Sequence, residues 1–232
     1  MGIHVSAPLT KKIEEETETV ALRDDAYEQL RRRIITRKLE PGAVLTQEEI
    51  ASELGMSRTP VREALSRLQD EGLLKHVPRR GFSVVEMTVS DLVGVASLIR
   101  ALQQFVITEL LAQGQDYDTT MIRQLHEEQK KYMDDPWRCF ELNIEMHIKV
   151  VELYKNRRLV EIGRRMGEQI MMAGFISSSP DFEKALNETF SEHDAIVDAL
   201  EARDLDAVIE ALRAHDEGLM RRISGGSGLR IG

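Results

Sequence analysis

Three histidines and an asparagine in the second half of the chain are of the residue types that bind divalent metals. Asn143 and His147 are four positions apart, so on a helix their side chains project from one face, about one turn apart. His193 and His215 each fall within a later helical pattern, among apolar neighbours. A helical bundle collects ligands from facing helices, and imidazole suits zinc, nickel, iron or copper. Spacing alone favours the alternative, three core histidines satisfied by backbone or water.

A second group of residues suits contact with DNA. Residues 46–68 predict two short helices that meet at a tight turn, with Thr46 and Glu49 as a capping box and Gly55 ending the first helix. The second helix has one apolar face and a polar, basic face near its start, an arrangement that enters a major groove. A surface hairpin with solvated arginines is the alternative. The predicted DNA contacts in this helix are Ser57, Arg58, Thr59, Arg62 and Arg67.

The flanking segments predict the rest of a winged helix. Residues 25–37 have the apolar spacing of a helix, and residues 75–77 and 82–85 predict two strands joined by a basic tip. At that tip, Arg79 and Arg80 are predicted to touch the DNA backbone or minor groove. Gly81 is predicted to let the backbone approach the DNA closely, because it has no side chain.

Residues 22–87 resemble the winged-helix domain of GntR-type bacterial transcription regulators. The run LEPGAVLTQEEIASELGMSRTPVREALSRLQDEGLL follows the pattern of that family almost throughout. The resemblance implies a homodimeric, effector-responsive regulator whose paired winged helices bind a pseudo-palindromic operator in double-stranded DNA. Repression that is released by the effector is the commoner expectation for this family.

Length and charge fit a protein of two parts. The chain has 232 residues and a net charge of −9, and an acidic balance alone would argue against nucleic acid. Residues 22–87, however, hold twelve Lys and Arg against eleven Asp and Glu, so the acidic excess lies elsewhere. The single cysteine, Cys139, suits a reducing compartment. We expect no apolar run of membrane-spanning length and no signal peptide, and therefore a cytoplasmic protein without membrane contact.

The second half of the chain predicts helices and no strands. The fold class is therefore mainly α, with a winged helix-turn-helix domain at 21–87 and an antiparallel bundle of six or so helices at 88–223. Residues 1–20 are polar and rich in Glu, and we expect them to be disordered, with 224–232 as a flexible tail. The predicted helices of the bundle are 90–114, 118–134, 137–154, 156–176, 180–203 and 204–223.

Residues 90–217 resemble the FCD domain, the ligand-binding half of FadR-type GntR regulators. Many members of that family place Asp-x-x-x-His on one helix and two further histidines on later helices around a divalent metal. The run from Asn156 to Leu159 also matches the Asn-x-x-Leu corner of the family. The resemblance implies a divalent transition metal, such as zinc or nickel, in a domain that also forms the homodimer. The matching metal-ligand positions here are Asn143, His147, His193 and His215.

Two positions depart from that pattern. Asn143 stands where the family usually has aspartate, and Gln104 where it commonly has glutamate. Neutral amides weaken metal affinity and leave a loaded pocket more positive, which favours an anionic effector or a metal-free site with a larger ligand. We expect Arg100, on the first helix of the bundle, to bind a small organic acid through its planar guanidinium. Pairing of Arg100 with a nearby acid of the protein is the alternative.

A metal bound by three histidines with open coordination positions is also typical of a metalloenzyme. A purely structural metal is a further alternative. No convincing general base or nucleophile accompanies the histidines. We expect Glu145 and Glu192 to project from other helix faces, because each is close in sequence to a site residue. The chain is therefore predicted not to be an enzyme and to have no catalytic residues.

Overall fold

The computed structural model describes residues 7–174 and 182–225 and shows a mainly helical protein with a small sheet. The chain divides into two compact units, Met1–Glu86 and Met87–Gly232. The first unit contains the helix-turn-helix and the sheet, and the second is helical throughout its described part. The predicted fold class is confirmed.

The first unit is a three-helix core with a winged sheet. Both α1 and α2 pack against α3, and β3 lies between β1 and β2 in an antiparallel sheet. Leu30 of α1 and Val61, Leu65 and Leu68 of α3 have no exposed surface, so these apolar stripes hold the helices together. The elements are α1 (Ala7–Ile35), β1 (Val44–Leu45), α2 (Gln47–Leu54), α3 (Arg58–Asp70), β2 (Leu74–Val77) and β3 (Gly81–Val84).

The turn between α2 and α3 forms as the sequence predicts. The Thr46 hydroxyl accepts from the Glu49 amide, and the Glu49 carboxylate accepts from Thr46, which completes the capping box. Gly55 ends α2 with a φ of 64°. Ser57 precedes α3, but its side chain makes no capping hydrogen bond.

The second unit is built around α4. That helix packs against α6, α7 and α9, while α5 packs against α6 and α8, and α8 lies along α9. The core includes Val106, Met146, Ile196 and Leu200, none of which has exposed surface. The helices are α4 (Val89–Ala112), α5 (Thr120–Gln129), α6 (Pro136–Glu152), α7 (Arg157–Gly174), α8 (Phe182–Ala202) and α9 (Leu205–Gly225), with a 3₁₀ turn at Lys130–Tyr132.

Several boundaries differ from the prediction. Helix α1 begins at Ala7, so residues 7–20, expected to be disordered, are helical in the structure. Ala, Glu and Lys are strong helix formers, which outweighs the lack of an apolar stripe. Helix α5 ends at Gln129 rather than near residue 134, and a 3₁₀ turn follows at Lys130–Tyr132. Strand β1 was missed, because two residues are too few to show alternation. The predicted ends at residues 1–6 and 226–232 lie outside the described residues.

Helix α4 corrects the expectation of no membrane-length apolar run. Among the described residues it is long and apolar enough to cross a membrane by length and composition. Core helices of soluble proteins pass the same test. Leu92, Ile99 and Leu110 are buried against the rest of the unit, and 33 % of the apolar window is buried in all.

Replacement of Gly81 by Ala should destabilise the wing more than replacement of Gly55 does. Both glycines have positive φ, 96° and 64°, which costs an alanine about 1–2 kcal/mol. At Gly81 the added Cβ would also overlap the Leu45 carbonyl oxygen, a backbone atom, whereas at Gly55 it would meet nothing within 4 Å. Urea denaturation of both variants, followed by circular dichroism, measures the difference. Equal losses would show that β1 moves away from β3 at little cost.

Candidate metal centre and DNA interface

The three predicted histidines converge at the meeting point of α6, α8 and α9. Each offers one ligand atom, and these atoms lie within 4.8 Å of one another. The ring centroids of His147 and His193 are 5.1 Å apart, and those of His193 and His215 are 4.7 Å apart. Two nitrogens on one zinc ion lie roughly 3–4 Å apart, since each Zn–N bond is about 2.0–2.1 Å. The three rings could therefore hold one ion after small side-chain movements.

Burial keeps the imidazoles of His147 and His193 uncharged. His193 has no exposed surface and His147 is 6 % exposed. Burial lowers the pKa of His147 to about 3, with a smaller contribution from the nearby His215. Burial also lowers the pKa of His193 well below its usual value, with smaller contributions from the nearby His215, His147, His126 and Arg222. The neutral imidazole is the form that ligates metals, so the site is chemically suited to one.

Asn143 completes the predicted set. Its side chain is 9 % exposed, and Nδ2 lies 3.2 Å from Nε2 of His193. An amide presents oxygen and nitrogen in nearly the same place, so Asn143 can also turn Oδ1 toward the centre. Three imidazole nitrogens and one amide oxygen form a donor set that divalent transition metals accept. All four predicted ligands are thus neighbours in the fold.

Each histidine also has a side-chain partner on Nδ1 that the sequence analysis missed. Gln103 Nε2 lies 3.1 Å from Nδ1 of His147, and Gln129 Nε2 lies 3.0 Å from Nδ1 of His193. Glu192 Oε2 lies 2.8 Å from Nδ1 of His215. The expectation that Glu192 points away from the site is wrong. Glu192 and His193 project from different faces of α8, but the Glu192 side chain contacts His215 of the adjacent helix α9. No local pattern marks such a pair.

Glu192 is held as a carboxylate. Arg222 donates two hydrogen bonds to it, of 2.7 and 2.8 Å, and His215 donates a third. Burial acts to raise the pKa of Glu192, but the bonds from His215 and Arg222 outweigh it and lower the pKa. The result is an ionised acceptor directly behind the His215 ring.

A neighbouring group, His126, Glu127 and Asp194, also has its ligand atoms close together. The Lys130 ammonium lies 2.9 Å from Asp194 Oδ1, and His126 Nε2 lies 2.6 Å from the same oxygen. A cation is therefore already present where a metal would bind. Behind this group, Gln129 Nε2 faces Nδ1 of both His126 and His193, and its buried Oε1 has no hydrogen-bond partner among the residues that the structure describes.

Arg100 is paired within the protein. Its Nε donates to Asp216 Oδ2 at 2.5 Å, and both side chains are partly buried. Asp216 follows His215 on α9, so the pair lies next to the histidine centre in sequence. The alternative of an ion pair with a local acid is thus present in the structure, and a role in effector binding remains a prediction.

The predicted DNA contacts lie on exposed surface of the first unit. Ser57, Arg58 and Thr59 are exposed at the start of α3, and Arg62 is exposed one turn later. Arg58 forms an ion pair of 2.9 Å with Glu48, with both side chains more than half exposed. Such a surface pair contributes little to stability, so a phosphate or base can displace Glu48.

Arg67 and Gly81 have structural roles that the sequence analysis missed. The Arg67 guanidinium lies 3.6 Å from the centre of the Tyr27 ring and donates to Glu71. It therefore fastens α3 to α1 through a cation–π contact. At Gly81 the Leu45 backbone occupies the space that a Cβ would fill, so packing within the wing itself requires glycine here. Arg79 and Arg80 are exposed at the tip.

A winged helix-turn-helix unit followed by a helical unit is the architecture of a class of bacterial DNA-binding transcription regulators. Residues 22–84 match the bacterial regulatory proteins of the gntR family, and residues 95–218 match the FCD domain. The chain belongs to the GntR family and to its FCD-containing branch. These are domains of DNA-binding transcription regulators and not of enzymes, which decides against the metalloenzyme alternative.

Relatives and solved structures agree with this assignment. The chain is 31 % identical over 180 residues to a probable D-xylose utilization operon transcriptional repressor of Paenarthrobacter nicotinovorans, covering 77 % of this chain and 78 % of the relative. It is 26 % identical to the transcriptional repressor RspR of Escherichia coli, covering 85 % and 86 %. A putative GntR regulator from Rhodococcus sp. RHA1 has the same fold, with a TM-score of 0.71, 22 % identity and coverage of 88 % and 98 %.

Proposed function

We propose that this regulator is a repressor whose operator affinity changes when a small carboxylate binds at or near a divalent metal in the second unit. The convergence of His147, His193 and His215, with ligand atoms within 4.8 Å, carries the proposal. Two of the relatives are named as repressors of operons for D-xylose or gluconate. An effector changes operator affinity only through different affinities for two arrangements of the protein, so its site must differ between them.

The operator is double-stranded DNA with two half-sites, bound by a homodimer in the cytoplasm. Two-fold symmetry in the protein requires pseudo-palindromy in the site. Leu98 and Phe105 lie two turns apart on α4 and are 51 % and 46 % exposed, with the exposed Ala101 between them. This apolar stripe supports contact with a second copy of the chain.

Arg58→Ala should weaken operator binding by about 1–3 kcal/mol and reduce sequence preference, if Arg58 contacts guanine through both of its terminal nitrogens. Fluorescence anisotropy with the operator and a scrambled duplex, at fixed salt, measures both effects. Arg157→Ala is the matched control, because it removes one exposed arginine from the second unit. An equal loss on both duplexes would make Arg58 a phosphate contact instead.

We propose that Asn143, His147, His193 and His215 hold the metal. The buried imidazoles of His147 and His193, whose pKa values burial lowers, support this assignment, and the amide of Asn143 contributes no charge. A bound divalent ion would supply positive charge that attracts an effector carboxylate.

Native protein should therefore contain about one divalent metal per chain, by mass spectrometry after purification without chelators. Alanine replacement of any of the three histidines should remove it, and Asn143→Ala should weaken retention. His76→Ala, an exposed histidine on β2, serves as the control. If native protein holds no metal and takes none up on titration, the site is metal-free, and the effector is larger or uncharged. Loss of thermal stability on chelation without effector specificity would indicate a structural metal.

Arg100 is the proposed anchor for the effector. Its partner Asp216 follows His215 on α9, and a ligand carboxylate can replace or share that partner.

Arg100→Ala should abolish the effect of carboxylate metabolites on operator binding while leaving operator affinity without effector unchanged. The comparison variant is Arg123→Ala, which removes a surface arginine paired with Asp198 and Glu201 on the same unit. Titration of candidate acids into the protein–operator complex gives the readout. A full response in the Arg100 variant would refute the assignment.

A further inference from the structure

The partners of the three imidazoles differ in one chemical respect. An amide side chain can present either N–H or oxygen to a ring nitrogen, so it accommodates both neutral forms of histidine. An ionised carboxylate can only accept. The partners of His147 and His193 are amides, and Gln103 Nε2 also donates to the main-chain carbonyl oxygen of His147 at 3.1 Å. The partner of His215 is instead a carboxylate, which requires the proton of His215 on Nδ1 and leaves the Nε2 lone pair available.

Arg222 holds Glu192 in place for this contact. Nη1 and Nη2 of Arg222 donate to the two carboxylate oxygens at 2.7 and 2.8 Å. The side chains of Glu192 and Arg222 are 15 % and 16 % exposed. A two-point bond of this kind fixes the plane of the carboxylate as well as its position. The orientation of the His215 ring thus depends on a chain of three side chains.

Gly218 provides the space that the carboxylate occupies. It lies within α9, where glycine costs about 1 kcal/mol relative to alanine, so a packing reason is expected. A Cβ at this position would overlap Oε1 and Cδ of Glu192. Glu192 therefore passes over bare helix backbone to reach His215, which is one turn earlier on the same helix.

We propose that Glu192 is a positioning residue of the histidine centre, which fixes His215 with its proton on Nδ1 and its Nε2 free to bind metal, and that Gly218 is present to admit it. The inference deepens the proposed metal site and rests on it for its function. The contact between Glu192 and His215 exists without metal, so it can be tested separately. Outer partners of this kind typically change metal affinity by about 10–100-fold.

Gly218→Ala is the sharpest test, because it removes no functional group. The added methyl should displace the Glu192 carboxylate, while helix propensity alone should make the variant slightly more stable. Glu192→Gln removes the charge with little change of shape and covers the case in which Gly218→Ala does not fold. Gly94→Ala is the matched control, since it also adds a methyl within a helix and meets nothing within 4 Å.

Two measurements distinguish the outcomes. Long-range ¹H–¹⁵N spectra at pH 8 without metal should show the His215 proton on Nδ1 in native protein and in Gly94→Ala, and a mixture of forms in the other two variants. Competition with a coloured chelator should show Zn²⁺ affinity lower by about 10–100-fold in Gly218→Ala and Glu192→Gln. A proton on Nε2 in native protein, or Zn²⁺ affinity equal in all variants, would overturn the inference. If native protein shows the expected proton position but binds no Zn²⁺, the result supports the positioning role of Glu192 and refutes only the proposed metal site.

Discussion

The burial of uncharged imidazole at the junction of α6, α8 and α9 is the constraint on which the second unit depends. Desolvation disfavours the charged form, and it is the largest cause of the lowered pKa values of His147 and His193. Neutral rings in an apolar core still need hydrogen-bond partners, because an unsatisfied buried nitrogen is costly. Gln103, Gln129 and Glu192 provide them. The surrounding polar groups are therefore needed because His147 and His193 are buried and His215 is partly buried.

The first unit balances two uses of arginine. Arg58 and Arg62 are exposed at the start of α3, where an ion pair with Glu48 is weak enough to be exchanged for DNA. Arg67, three turns into the same helix, instead lies on the Tyr27 ring and fastens α3 to α1. The exposed arginines proposed to contact DNA and the arginine that fastens α3 to α1 thus lie at different ends of one helix.

The parts of the molecule that the sequence predicts are those with local signals. The capping box at Thr46, the left-handed Gly55 and the apolar spacing of α3 and α6 follow from residues within a few positions of one another. The convergence of the histidines could be inferred only with the help of family resemblance. The partners of His147, His193 and His215 lie 44, 64 and 23 positions away, and Asp216 is 116 positions from Arg100. These pairs form because the helices pack together, and the periodicity of residues along a single helix does not predict them.

Four residues between positions 215 and 222 of α9 form contacts at or next to the histidine centre. His215 contributes a ring to the centre, Asp216 pairs with Arg100, Gly218 gives space to Glu192, and Arg222 holds that carboxylate. Each residue added to a helix rotates everything after it by about 100°. A single insertion or deletion between positions 215 and 222 would therefore rotate the residues on one side of it by about 100° relative to those on the other. We expect changes of length to be tolerated in the loops that flank this helix and not within this segment.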